Sequence, residues 1–366
     1  MNGLQRRYVE ASGLGDIAEK VVAGERLSRD EGLRLYRHPD LLAVGALANH
    51  VREARHGDAT YYIINQHINH TNICVAGCKF CAFYRTARQT DAYVLSPQDI
   101  ERRMREWMDQ PIREIHMVGG VNPDLPFEYY LEVIRTMKRV RPEVHVKAFT
   151  MVEIAAMSEQ FGMTPRDVLT RLQEAGLGSI PGGGAEILTD HAHQVLFKGK
   201  IDHRGWIDIA KTAHRLGLRS NATMLYGHVE TLEERLDHMI LLREAQDETG
   251  GFMAFIPLAF HPENTRLSHL PRPSAAVDLR QLAVARLMLD NFPHIKAYWI
   301  MMTPRTAQAG LHFGADDLDG TVVAEEIFHR AGATSPQAVT RRDLIRLIEE
   351  AGRVPVERDT LYNPVV

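Results

Sequence analysis

The stretch that decides the fold begins at Tyr61-Tyr62-Ile63-Ile64-Asn65-Gln66-His67-Ile68-Asn69 and runs on to Cys74-Val75-Ala76-Gly77-Cys78-Lys79-Phe80-Cys81. Its first part is rich in aromatic and β-branched residues and reads as a strand. Its second part is a short loop holding every cysteine of the chain, 3 in 366 residues. An odd cluster with no distant partner makes no disulfide framework and suits a reducing, cytoplasmic setting. Thiolates are soft ligands that select iron–sulfur clusters, zinc or Cu(I). A cubane cluster ordinarily takes four thiolates, so three would leave one iron of a [4Fe–4S] cluster open to an outside ligand. Gly77 lets a tight loop wrap such a cluster, and Phe80 and Phe83 would limit solvent around it. The alternative is a Cys3His zinc site completed by His67 or His70, although zinc ligands usually come as two separated pairs.

Upstream of this stretch the chain reads as helical. Ser28 followed by Asp30 and Glu31 is a cap with an acidic first turn, and Leu41, Leu42, Val44, Leu47 and Val51 recur at helical spacing. Downstream, short β-branched runs alternate with amphipathic segments, the pattern of βα units around a parallel sheet. Strands are expected at Tyr61–Asn69, Glu114–Val118, Val144–Phe149, Ser179–Pro181, Ser220–Leu225, Phe252–Pro257, Ile295–Ile300 and near Ala315–Leu318. Helix starts are signalled by the capping box Thr231-Leu232-Glu233-Glu234 and by Ser96-Pro97, Thr164-Pro165 and Ser335-Pro336. After Thr231, residues Leu232, Leu236, Met239 and Ile240 make one apolar stripe. Eight strands with intervening helices fit an α/β fold of the (β/α)8 TIM-type barrel better than an open sheet. The expected division is a helical N-terminal extension over residues 1–57, the barrel over 58–332, and a C-terminal helix and tail over 333–366 packed on the barrel. The polar, Pro-containing stretch from His261 to Pro273 is expected as a loop at the barrel mouth.

Composition narrows the function. The net charge of -4 removes the electrostatic case for nucleic acid or an anionic membrane as partner. No apolar run is long enough to span a bilayer, and the N-terminus lacks the apolar core of a signal peptide. No Walker A, G-x-S-x-G or H-E-x-x-H motif is present.

Other candidate residues sit at strand ends. Gly119-Gly120 closes the second strand, where small residues allow close approach to a ligand and offer free amides; a tight βα turn is the alternative, and the place at a strand end favours the ligand. Gly182-Gly183-Gly184 closes the fourth and is followed by Glu186, a carboxylate placed to accept from a ribose or an ammonium group. The fifth strand offers Asn221, Thr223 and Tyr226, which cannot all face inward because alternate residues point to opposite faces. Lys147, inside an apolar run, and Arg219 flank strands. Among 18 His, several lie near strand ends, and His67 and His228 are the candidates for orienting a substrate.

The loop Cys74-x3-Cys78-x2-Cys81, with the aromatic Phe80 before its last cysteine, resembles the signature of the radical S-adenosylmethionine (SAM) superfamily. The resemblance implies that Cys74, Cys78 and Cys81 hold a [4Fe–4S] cluster whose open iron binds SAM, which is cleaved to methionine and a 5′-deoxyadenosyl radical. It assigns Gly119-Gly120 to the SAM methionyl amine; Glu186, after its glycine run, and Thr223, a polar residue on a barrel strand, are then the candidates for further contacts with SAM. From about Asn65 to Pro364 the chain is similar to the branch of the superfamily that works on futalosine compounds in menaquinone biosynthesis. Cys78–Arg85 resembles the enzymes that cyclise dehypoxanthinylfutalosine. The segments Ile115–Gly120, His145–Thr150, Ile295–Met301 and Gly352–Asn363 resemble instead the aminofutalosine synthases. That resemblance implies addition of the radical to the vinyl carbon of 3-[(1-carboxyvinyl)oxy]benzoate, with aryl rearrangement and loss of bicarbonate. It also implies a reductant such as flavodoxin. The substrate's two carboxylates are what point to Lys147 and Arg219, with Asn221 and Tyr226 beside them.

Overall fold

The β-branched runs form strands arranged in a ring, because each is followed by an amphipathic segment that carries the chain back to the same end. The computed structural model describes residues 1–197 and 199–365. The strands are β1 (Ala59–Ile63), β2 (Asn65–Ile68), β3 (Glu114–Met117), β4 (His145–Ala148), β5 (Leu177–Ile180), β6 (Arg219–Tyr226), β7 (Phe252–Ala259), β8 (His294–Ile295), β9 (Asp317–Gly320) and β10 (Val354–Glu357). β2 to β8 form one curled parallel sheet in chain order, and β10, β1 and β9 form a second in the order β10-β1-β9. The segment holding β9 closes the ring. On one side the Ala297 amide donates to the Asp317 carbonyl (2.8 Å), and on the other the His67 amide donates to the Val323 carbonyl (3.0 Å). The result is a TIM-type barrel whose eighth strand is stitched in by single bridges.

Three strand readings change. Tyr61–Asn69 is not one strand: it divides at Ile64, so that β1 pairs with β9 and β10 while β2 pairs with β3. Every residue from Tyr62 to Thr71 is buried, so no polar alternation marked the break. Ile295–Ile300 shortens to β8, because Trp299–Met302 coils into a helical turn. The weak strand near Ala315 lies two residues later, at β9.

The helix signals mostly hold. Ser28, Ser96, Thr164 and Thr231 each close a capping box with the acidic residue three positions on. Ser335 does not cap a helix. Its hydroxyl donates to the Ile300 carbonyl (2.9 Å), and the following helix, Arg341–Glu350, starts from Thr340. In the helix Leu232–Thr249 the buried line is Leu236, Met239 and Leu242, with Leu232 and Ile240 half-buried at its margin. The helix Leu41–His56 packs on Ala275–Met288. Among the described residues no helix is long and apolar enough to cross a membrane.

Candidate active site

The carboxyl ends of the strands open on a cavity of about 260 Å³, at the end where barrels carry their chemistry. Its outer half is built by the cysteine loop. The Cys74 amide donates to the Arg85 carbonyl (3.0 Å), the Val75 amide to the Val121 carbonyl (3.0 Å) and the Lys79 amide to the Leu196 carbonyl (2.8 Å). From the loop that follows β7, the Arg266 guanidinium donates to the Gly77 carbonyl, and its amide donates to Lys79. Held in this way, Cys74, Cys78 and Cys81 all line the cavity, with Phe80 and Phe83 beside them. Burial pushes the Cys78 thiol up to about 12, so its ligand form requires a cation at the sulfur. Lys200 supplies one ammonium nearby. It lies over the Phe80 and Phe197 rings and bonds the Glu186 carboxylate (2.5 Å). Burial opposes its charge, but Cys78 and Glu186 outweigh that and raise Lys200 above the ordinary lysine value.

Two glycine turns frame this half. A Cβ on Gly120 would fall 2.2 Å from the Ile73 carbonyl oxygen, and one on Gly182 would fall 1.9 Å from the Asn221 carbonyl oxygen. Gly182 also holds a φ of +80°, so glycine is required at both positions by backbone approach. The Gly119 amide donates to Glu153 (3.2 Å) and the Gly120 amide to the Thr71 carbonyl (2.8 Å). The amides are therefore not free for a ligand, contrary to expectation. The carbonyl oxygens of both glycines accept no bond among the described residues and suit a ligand ammonium better.

The inner half is a charged floor. His67 of β2, His116 of β3 and Lys147 of β4 are register partners on adjacent strands. Lys147 bonds Glu114 (2.7 Å), Lys296 bonds Asp319 (2.6 Å) and Arg358 bonds Asp317 (2.7 Å), all buried. Burial alone would raise Glu114, yet the two lysines hold it well below the carboxylate range. Burial lowers Lys147, and Glu114 offsets only part of that. Burial likewise lowers His67 and His116, whose rings stack at 4.4 Å. Several polar atoms around this floor are buried without a partner: His67 Nε2, Asn69 Oδ1, Asn221 Oδ1 and His261 Nδ1. Orphaned atoms converging on one cavity mark it as built for a polar ligand.

The comparisons agree with this geometry. The Radical SAM superfamily profile matches residues 68–242, and a profile described as the CofH/MqnC C-terminal region matches residues 249–365. An aminodeoxyfutalosine synthase of Thermus thermophilus is 49% identical over 353 residues, covering 95% of each chain. The chain belongs to the radical SAM superfamily. A cyclic dehypoxanthine futalosine synthase of Halalkalibacterium halodurans is 37% identical over 95% of this chain and 94% of that one. The crystal structure of a methylornithine synthase superposes with a TM-score of 0.71 at 17% identity, covering 92% of this chain and 96% of that one, which speaks for the fold alone.

Set in a radical SAM barrel, the expected site residues separate into two groups. Cys74, Cys78, Cys81, Phe80, Gly119, Gly120, Glu186, Thr223, Asn221, Lys147 and His67 all line the one cavity. Three do not, and are corrected. Arg219 is the first residue of β6, exposed at the end of the barrel opposite the mouth. Tyr226 points outward and donates to Asp278 (2.7 Å), as the two-residue period requires once Asn221, Thr223 and Leu225 face in. His228 is tied to the Leu225 carbonyl (2.8 Å) and to Glu230 (2.8 Å) and does not line the cavity. Lys200, Glu153, Lys296 and Asp319 also line the cavity; Lys296, a cation inside the apolar run Ile295–Ile300, carried the same signal as Lys147, whereas the other three carried none. The zinc alternative loses its fourth ligand. His70 faces Glu153 (3.3 Å) and His67 lies on His116. Among the described residues only His56, His294 and Asp316 gather ligand atoms at single-ion spacing, and the cysteines do not.

Proposed function

We propose that this radical SAM enzyme is an aminodeoxyfutalosine synthase. The observation that carries the reading is the 49% identity to the Thermus thermophilus synthase across nearly the whole of both chains. Residues 58–332 form the catalytic barrel in this reading, with residues 1–57 as a helical extension and 333–366 as a tail; the pairing of β10 with β1 supports the last.

Cys74, Cys78 and Cys81 are the ligands that would hold a [4Fe–4S] cluster, and their spread beyond single-ion spacing suits a body of that size. When bound, the cluster and SAM supply an adenosyl radical. The protein's part is positional. The carbonyls of Gly119 and Gly120 would accept from the SAM ammonium, Glu186 and Thr223 would contact its nucleoside, and Phe80 and Phe83, which line the same cavity, would keep water from the reacting end. Asn221 and the floor below hold 3-[(1-carboxyvinyl)oxy]benzoate with its vinyl carbon toward the cysteine loop, so that proximity supplies much of the rate. Tyr226 and Arg219 take no part. A flavodoxin-type reductant delivers the electron, and the reaction releases 6-amino-6-deoxyfutalosine, methionine and bicarbonate.

The test is anaerobic incubation of reconstituted protein with reductant, SAM and the enolpyruvyl benzoate, followed by mass spectrometry. The expected product carries the adenosyl group covalently. A second reading, cyclisation of dehypoxanthinylfutalosine, draws on the Cys78–Arg85 loop and the 37% identity to the cyclising enzyme. Free 5′-deoxyadenosine together with a spiro product would decide for it.

A further inference from the structure

Among the described residues the fixed charges of the barrel floor are already paired. Three ammonium or guanidinium groups meet three carboxylates: Lys147 with Glu114, Lys296 with Asp319, and Arg358 with Asp317 and, more distantly, Asp319 (3.9 Å). Glu325, the remaining acid facing the floor, accepts from the Ile327 and Phe328 amides and meets His329 (3.1 Å). Among the described residues a carboxylate brought into this floor finds no free cation, and an uncompensated buried charge is costly. Of the groups there that still have hydrogen-bonding capacity, two are imidazoles at register-paired positions of adjacent strands. His67 and His116 stack on adjacent strands, the Nε2 of His67 is buried without a partner, and both rings border the cavity.

From this arrangement we infer that the His67–His116 pair, and not Lys147, recognises the aryl carboxylate of the substrate, taking up one proton from solvent as the ligand enters. The inference rests on the functional reading above. The vinyl group must face the cysteine loop, which leaves the ring carboxylate, at the far end of the molecule, to meet the strands. The proton leaves hydronium or a buffer acid of the solvent and forms an N–H bond on one imidazole, and the resulting imidazolium donates to the carboxylate; no bond of the substrate or the protein breaks.

The electrostatic surroundings explain why the proton arrives only with the ligand. His67 faces Asp319 of β9, Glu325 of the following loop, Glu114 of β3 and Lys147 of β4. His116 faces the same Glu114, Lys147 and Asp319 besides His67 itself. With those acids neutralised by their own partners, burial dominates and both imidazoles stay neutral. An entering carboxylate brings a negative charge that no described residue of the floor neutralises and reverses the balance, and the proton belongs to the coupled pair.

Cluster-loaded enzyme with SAM and no reductant binds without turnover, so calorimetry in two buffers of different ionisation enthalpy counts protons. The probes are 3-[(1-carboxyvinyl)oxy]benzoate and its analogue with a carboxamide on the ring. Wild type is expected to take up about one proton with the carboxylate and none with the amide. In His67→Gln, and separately in His116→Gln, the uptake is lost and the preference for carboxylate over amide falls about 10- to 100-fold, the scale of a hydrogen bond to a charged group. Iron content and melting temperature should match wild type in at least one of the two. Binding without proton uptake, or a preference abolished by Lys147→Met and untouched by both histidine variants, overturns the inference and leaves the functional reading standing. Failure of wild type to bind the enolpyruvyl benzoate overturns both.

Discussion

The two halves of the cavity are built in opposite ways. The mouth is local: three cysteines and two aromatic residues lie within ten positions of one loop and are held there by backbone hydrogen bonds. The floor is distributed: His67, His116, Lys147, Lys296 and Asp319 come from five elements, and the barrel alone brings them together. A local site can lose its chemistry without disturbing the core. A distributed one made of buried charges cannot, because each group is part of another's solvation.

Substitutions at the mouth and at the floor should therefore fail differently. Cys78→Ala should have the largest effect on activity, bringing iron, sulfide and product formation to background while circular dichroism and melting temperature stay near wild type. Global unfolding of that variant would show that the mouth is not independent of the core. Lys147→Met should do the reverse, keeping the iron but losing about 3–5 kcal/mol of stability as Glu114 is left buried and alone. Adding Glu114→Gln should recover most of that loss in denaturant melts, and no recovery would mean the pair is not what holds the floor.

Acid sharpens the contrast further. Burial would raise Asp319, but Lys296 and Lys147 hold it at about 2, below the usual 3.8. A carboxyl lowered in the folded state contributes stability that is whole above about pH 4 and fades as pH falls toward 2. Melting temperature followed from pH 5 to pH 2 should show this fall, and Lys296→Met should flatten it. Smaller effects are expected outside the cavity. Tyr226→Phe leaves the buried Asp278, whose carboxyl burial raises to about 6, without its donor. It should cost about 1–2 kcal/mol of stability with unchanged substrate KM. Arg219→Ala, at an exposed strand start, should fall within about 0.5 kcal/mol and leave turnover intact.

The helix caps were legible because a hydroxyl and an acid three positions apart satisfy each other within one turn, as Ser96 with Asp99 and Thr164 with Asp167 do. Ser335-Pro336 shows the limit: the same local signal gave way to a bond from Ser335 to Ile300 across the fold. Glu186 was legible from the glycine run before it, whereas its partner Lys200 was not, because the chain returns there only after the helix Asp190–Leu196.

The amino-acid sequence by itself determined the cysteine loop and the alternation of strands and helices, since both follow from interactions within a few residues. The phase of each strand was undetermined wherever the run was apolar on both faces. Closure of the ring chose Asn221 and Thr223 over Tyr226 and sent Arg219 to the far end. Closure also paired Lys147 with Glu114 and Lys296 with Asp319, since buried charges seek partners by distance in space and not by separation along the chain.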